Sequence, residues 1–220
     1  MHLHRTRTPG AFILAAAILA AGLLKAILPA YADSSAKSDP AESYIAGFFR
    51  ATAETAIAAQ SDESAAEAVK PVLLRAIPLD DTARFMLGRA WSTDNQPAGQ
   101  RFQQQFEDFA AEAVAQGLRA NPTLALEVKG SRARSDGSTL VWSMLALPSG
   151  RTVPVDWLVA QDAAAGTFQI IDITVAGFNA ATLLRSMTEA TLAETDIDGV
   201  IPQWRAALAR QAQSATVTSP

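Results

Sequence analysis

"STLVWSMLALPSGRTVPVDWLVAQ", residues 138–161, is the stretch on which the fold turns. Two runs rich in Val, Leu and Trp flank a Pro-Ser-Gly turn signal at 148–150. Period-two alternation on both sides of such a signal reads as an antiparallel hairpin. A tight turn at Ser149–Gly150 sets Pro148 opposite Arg151, and every other pairing follows from it. Trp142 then faces Trp157, Met144 faces Val155, and Ser143 faces Asp156. Downstream, "TFQIIDITVAG" (167–177) returns after the loop "DAAAG". Gln161 then pairs with Thr167, Trp157 with Ile171, Val155 with Ile173, and Asp156 with Asp172. Upstream, "TLALEVKG" (123–130) adds a further strand, which makes a four-stranded antiparallel meander.

On this register one face carries Trp142, Met144, Val153, Val155, Trp157, Ile171, Ile173 and Val175. The other mixes Val141, Leu145, Leu158 and Ile170 with Ser143, Asp156, Asp172 and Thr174. Burial of a tryptophan removes ~150–250 Å2 from water at ~25 cal/mol per Å2, so neither face is expected to stay wet. Helices must fill the apolar face completely, or a ligand must fill part of it.

The flanks of the meander are helical. "PAESYIAGFFRATAETAIAAQ" (40–60) groups Tyr44, Ile45, Phe48 and Phe49 at helical spacings. "SDES" (61–64) offers a fresh N-cap, and Pro71 falls inside the helix that follows. In "DDTARFMLGRAW" (80–91), Asp80 or Asp81 suits the cap, while Gly88 interrupts a dense apolar group. Pro97 fits a first helical turn, and Phe102, Phe106 and Phe109 line one face of the next helix. After the strands come "NAATLLRSMTEATL", capped by Asn179, and "DGVIPQWRAALARQ". Helices, strands and helices again imply α+β: one antiparallel sheet packed with about six helices.

Composition narrows the chemistry. Arg5, Arg7 and the run "AFILAAAILAAGLL" precede Ala30-Tyr31-Ala32, the pattern of a signal peptide over residues 1–32 cut near Ala32. The competing reading is an uncleaved anchor, but Lys25 interrupts the apolar run. A single domain at 33–211 and a polar tail at 212–220 complete the expected organisation. The two histidines, His2 and His4, and three of the basic residues lie in the leader, so cleavage takes the net charge from −4 to −7. An acidic chain is a poor match for nucleic acid. Without cysteine, and without histidine after the cut, the chain has no Ser-His or Cys-His nucleophile and no ordinary zinc site.

Catalysis would have to rest on carboxylates, tyrosine, arginine or one of the lysines Lys37, Lys70 and Lys129. Asp156 beside Asp172 could act as acid and base of an exported hydrolase, or hold a divalent cation. The plainer reading is an ion-pair network with Arg84, Arg89 or Arg185 as the counter-charge. A third alternative is an assembly factor with a filled core. The surplus of apolar surface favours a binding module for an apolar guest, without catalysis or cofactor.

The stretches 84–91, 96–106, 153–157 and 170–179 carry a family resemblance. They read "RFMLGRAW", "QPAGQRFQQQF", "VPVDW" and "IIDITVAGFN". In that order and at those separations the chain resembles the MlaC family of periplasmic phospholipid shuttles, also known as toluene-tolerance auxiliary components. The hopanoid-associated HpnM proteins are relatives in that family. The resemblance spans roughly residues 42–210. It implies a mixed α/β fold whose sheet and helices clasp acyl chains, and a monomeric carrier. Its partners would be an outer-membrane lipoprotein complex and an inner-membrane ABC transporter with an MCE-domain protein. Carried onto this chain, the lipid-contacting residues would be Trp142, Met144, Val155, Trp157, Ile171, Ile173 and Val175, with Phe85 and Leu87 from the helix. Two stretches depart from the family pattern: Glu112–Ala115 replaces a tyrosine-containing segment, and Ala176-Gly177-Phe178-Asn179 replaces an acid-Gly-Val-Ser turn. The cargo could therefore be a hopanoid or another hydrophobic lipid instead of a phospholipid.

Overall fold

The computed structural model describes residues 39–162 and 166–217; the expected leader and its cut near Ala32 lie outside the described residues. Capping chemistry sets the start of several helices. Helix α1 (Pro40–Ala58) begins where the Asp39 carboxylate accepts the Ala41 N–H at 2.8 Å. Helix α2 (Asp62–Ala76) begins at a reciprocal Ser61–Ser64 capping box and carries Pro71 in its interior. Helix α3 (Leu79–Leu87) is capped by neither aspartate: its N-cap is Pro78, and Asp80 and Asp81 sit in the first turn, where they favour the positive end of the helix dipole. Helix α4 (Gln96–Ala120) runs 25 residues and buries Phe102, Phe106 and Phe109. Helix α5 (Ala180–Leu192) starts where Asn179 Oδ1 accepts the Thr182 N–H at 2.8 Å, and α6 is Val200–Val217. No described helix is long and apolar enough to cross a membrane.

Gly88 answers the question its position raises. It closes α3 at φ +50°, a conformation that disfavours side chains, and the Arg185 guanidinium lies so close that an added Cβ would stand 3.0 Å from it. Around that break, Met86 and Leu87 enter the core, whereas Phe85 stays outside under Arg185.

The sheet has five strands, one more than expected: β1 (Ala125–Ala133), β2 (Thr139–Ala146), β3 (Thr152–Asp162), β4 (Thr167–Val175) and β5 (Phe178–Asn179). All neighbours are antiparallel and the order follows the chain. The fifth strand is two residues, too short to leave a periodic signal.

The register differs from expectation by one residue at the first turn. The Leu147 N–H donates to the Arg151 carbonyl at 2.8 Å, and the Gly150 N–H to the Leu147 carbonyl at 2.9 Å. The loop is therefore three residues, Pro148-Ser149-Gly150, with Gly150 at φ +79° supplying the left-handed position. Val141, not Trp142, faces Trp157; Trp142 faces Asp156, Ser143 faces Val155, and Met144 faces Pro154. Between β3 and β4, Trp157 faces Ile173, Val155 faces Val175, and Asp156 faces Thr174. A bulge follows, after which Val159 pairs with Ile170, so Ile171 is the extra residue.

The slip exchanges the two sides of β2. The inner face, toward the helices, holds Val141, Ser143, Leu145, Val153, Val155, Trp157, Val159, Ile170, Ile173 and Val175, all buried. Trp142, Met144, Leu140, Pro154, Asp156 and Leu158 lie on the outer face and are only half-buried. Trp142 lies flat across β1 at Gly130, where a Cβ would come within 2.8 Å of its ring.

Candidate functional site

The inner face does not meet the helices everywhere. Two apolar clefts remain. The first, about 110 Å3, lies between α2, α4, α5 and β4, with Leu73, Ile77, Phe106, Val114, Ile173 and Leu184 among its walls. The second, about 70 Å3, lies between α1 and the middle of the sheet, where Phe48, Phe49, Leu126, Val155, Trp157 and Val175 face one another. Leu73, Val114 and Ile173 line both.

The polar groups near the second cleft are already satisfied. Trp157 carries an indole N–H, which donates to Ser143 Oγ at 2.9 Å; Ser143 in turn donates to the Val155 carbonyl at 2.8 Å. This explains why a serine sits 2% exposed in an aliphatic face. The Thr52 hydroxyl donates to the Phe48 carbonyl at 2.7 Å. With these bonds made, Trp157 presents its ring to the cleft, and Phe48 meets it edge-on with centroids 6.2 Å apart. In the first cleft the only charged lining residue is Asp172, which accepts from the Ile173 N–H and from the Asn179 side-chain amide. Both clefts therefore suit hydrocarbon and offer almost nothing to a polar guest.

The residues expected at a lipid site fall into three groups. Val155, Trp157, Ile173 and Val175 line the second cleft together. Ile171 and Ile173 line the first, with Ile171 nearly half exposed at the bulge. Phe85, Leu87, Trp142 and Met144 line neither: Leu87 is in the core, Phe85 packs under Arg185, and the register puts Trp142 and Met144 on the outer face. Sequence reasoning passed over Leu73, Val114, Phe48 and Phe49 as lining residues. The helical spacing of Phe48 and Phe49 marked them as apolar, but nothing in the pattern tells a wall from a core position.

The aspartates are not paired across the ladder, because Asp172 faces Leu158. Burial raises the Asp156 carboxyl above its usual range, and its Oδ1 is buried without a hydrogen-bond partner among the described residues. Nor do the expected arginines serve as counter-charges. Arg185 donates to Glu189 and stacks on Phe85, while Arg84 lies over Trp91. Among the described residues, no group of three or more acidic residues could hold a metal ion.

A wide groove of about 800 Å3, with Asp62, Glu112, Arg119 and Arg205 among its lining residues, runs along α4 and α6. Its arginines are engaged: Arg205 forks onto Glu112 with two 2.8 Å bonds, and Arg119 reaches Asp62 and the Ala56 and Ala59 carbonyls. Glu112, where the chain departs from the expected pattern, thus has a local purpose in tying α4 to α6.

Comparison with known proteins places this arrangement. No curated protein matches the chain. Among solved structures, a phospholipid-binding protein from Ralstonia solanacearum, in complex with a phospholipid, superposes with a TM-score of 0.56 at 16% identity. The match covers 79% of this chain and 99% of that one. The family model described as MlaC protein matches residues 48–206. This chain belongs to the MlaC family.

Proposed function

We propose that this protein is a lipid carrier of the periplasm that holds acyl chains between its helices and the inner face of its sheet. The carrying observation is the pair of apolar clefts that meet at Leu73, Val114 and Ile173. Family membership supports the reading, and so does the likeness to a fold crystallised with phospholipid. In this reading the chain is exported, binds without catalysis, and passes lipid between membrane-bound complexes at the inner and outer membranes. Each CH2 shielded from water contributes ~0.8 kcal/mol, so a full chain binds tightly and its release requires a partner that opens the protein.

Native mass spectrometry of protein purified from the periplasm tests this. The expected spectrum shows a lipid adduct whose extract names the cargo, phospholipid or hopanoid. A clean unliganded mass with no extractable lipid would remove the proposal. Ile173→Asp puts a charge into the wall of both clefts and should abolish the adduct; normal loading would show that chains bind elsewhere.

A further inference from the structure

The two clefts are too small for their proposed cargo as they stand. An apolar cavity of ~150 Å3 takes one benzene, and sites for drug-sized ligands run ~300–1,000 Å3. Here the volumes are about 110 and 70 Å3, divided by side chains that belong to both walls. Leu73, Val114 and Ile173 are each less than a tenth exposed, so they form a packed divider from three different elements.

Two of those elements carry local faults beside the divider. Leu73 stands two residues after Pro71, which lies inside α2 and has no N–H for the Glu67 carbonyl one turn back. A proline in a helix interior costs ~3 kcal/mol or more and is a usual site of bending. Ile173 stands two residues after Ile171, the unpaired residue of the β4 bulge. Val114 is the exception. It sits toward the C-terminal half of the uninterrupted α4, the fixed post against which the others close.

We propose that Leu73, Val114 and Ile173 are a movable partition. It is shut in this conformation, and it parts by bending of α2 at Pro71 to join the clefts into one compartment long enough for an acyl chain. These three residues then set how fast and how much hydrocarbon the protein accepts. The inference rests on the lipid-binding reading and adds to it the step that admits the chain.

Stopped-flow loading of delipidated full-length protein provides the test, with palmitate and with phosphatidylethanolamine–phosphatidylglycerol vesicles as probes. For the unaltered chain, the loading rate should level off at high probe concentration, because opening limits it. Leu73→Ala with Ile173→Ala removes the partition and should raise the limiting rate about tenfold. Val114→Phe thickens it and should lower loading by about as much while the melting curve shows an intact fold. Should the alanine pair unfold, Leu73→Val and Ile173→Val give a smaller acceleration in the same direction. Loading of all variants at the unaltered rate overturns the partition and leaves lipid binding standing. Failure of the unaltered protein to take up either probe overturns the lipid reading, and the partition with it.

Discussion

The two faces of the sheet each carry one tryptophan, with opposite fates. On the inner face Trp157 is 6% exposed, its N–H is bonded to Ser143, and it fronts a cleft. On the outer face Trp142 is half-buried, spread over Gly130, and sits across from Asp156. A single residue of loop length separates these outcomes. Had the turn held two residues, Trp142 would stand beside Trp157 on the inner face. In a sheet with side-chain period two, the apolar count of a strand does not say which side the helices cover; the loop does.

The largest break of this comparison is truncation of each tryptophan in turn. Trp157→Ala should cost ~3–5 kcal/mol in chemical denaturation, as expected for an aromatic lost from a packed interior. Trp142→Ala should cost less than half as much, and equal losses would mean the two faces are equally covered. Next is Ser143→Ala, which strands the Trp157 N–H in an apolar wall and should cost ~1–3 kcal/mol. The double variant Ser143→Ala with Trp157→Phe should recover part of that loss. Gly150→Ala forces a Cβ into φ +79° and should cost ~1 kcal/mol by strain in the turn that sets the faces.

The smallest effect sharpens the outer face by its pH dependence. Burial raises the Asp156 carboxyl above its unfolded range, so the folded state binds this proton more tightly than the unfolded state. That contribution is fully present below the unfolded pKa and is lost as pH rises through the raised folded value. Asp156→Asn should therefore raise the melting temperature at neutral pH, and the gain should vanish in acid, below the unfolded carboxylate range of about 4. A gain that persists in acid would mean a cause other than the charge.

Much of the architecture was legible in the sequence because it is written in local chemistry. Asn179 before an apolar run announced its helix, Pro97 marked a first turn, and the phenylalanines of α4 repeated at helical spacing. The position of each main strand was equally plain. What escaped were quantities with no local signature. Three-residue loops with a left-handed glycine and two-residue turns can both end in Ser-Gly, so the loop length was ambiguous and β2 was turned over. The bulge at Ile171 adds a residue without changing composition, and the β3–β4 loop is one residue shorter than expected, with Asp162 instead of Gln161 facing Thr167; together they separate Asp156 from Asp172. Most of the cleft residues were readable as apolar, but a cleft is space left between elements distant in the chain. Leu73 and Val114 belong to it only because α2, α4 and β4 converge there.

The comparison and the proposed function meet in one measurement. The chain has four tryptophans, so variants that retain only Trp157 or only Trp142, with Phe at the others, report on one face each. Loaded with phospholipid brominated along its acyl chains, the Trp157 protein should lose most of its emission, while the Trp142 protein should keep it. Quenching of Trp142 with Trp157 left bright would put the lipid on the opposite face and contradict the account.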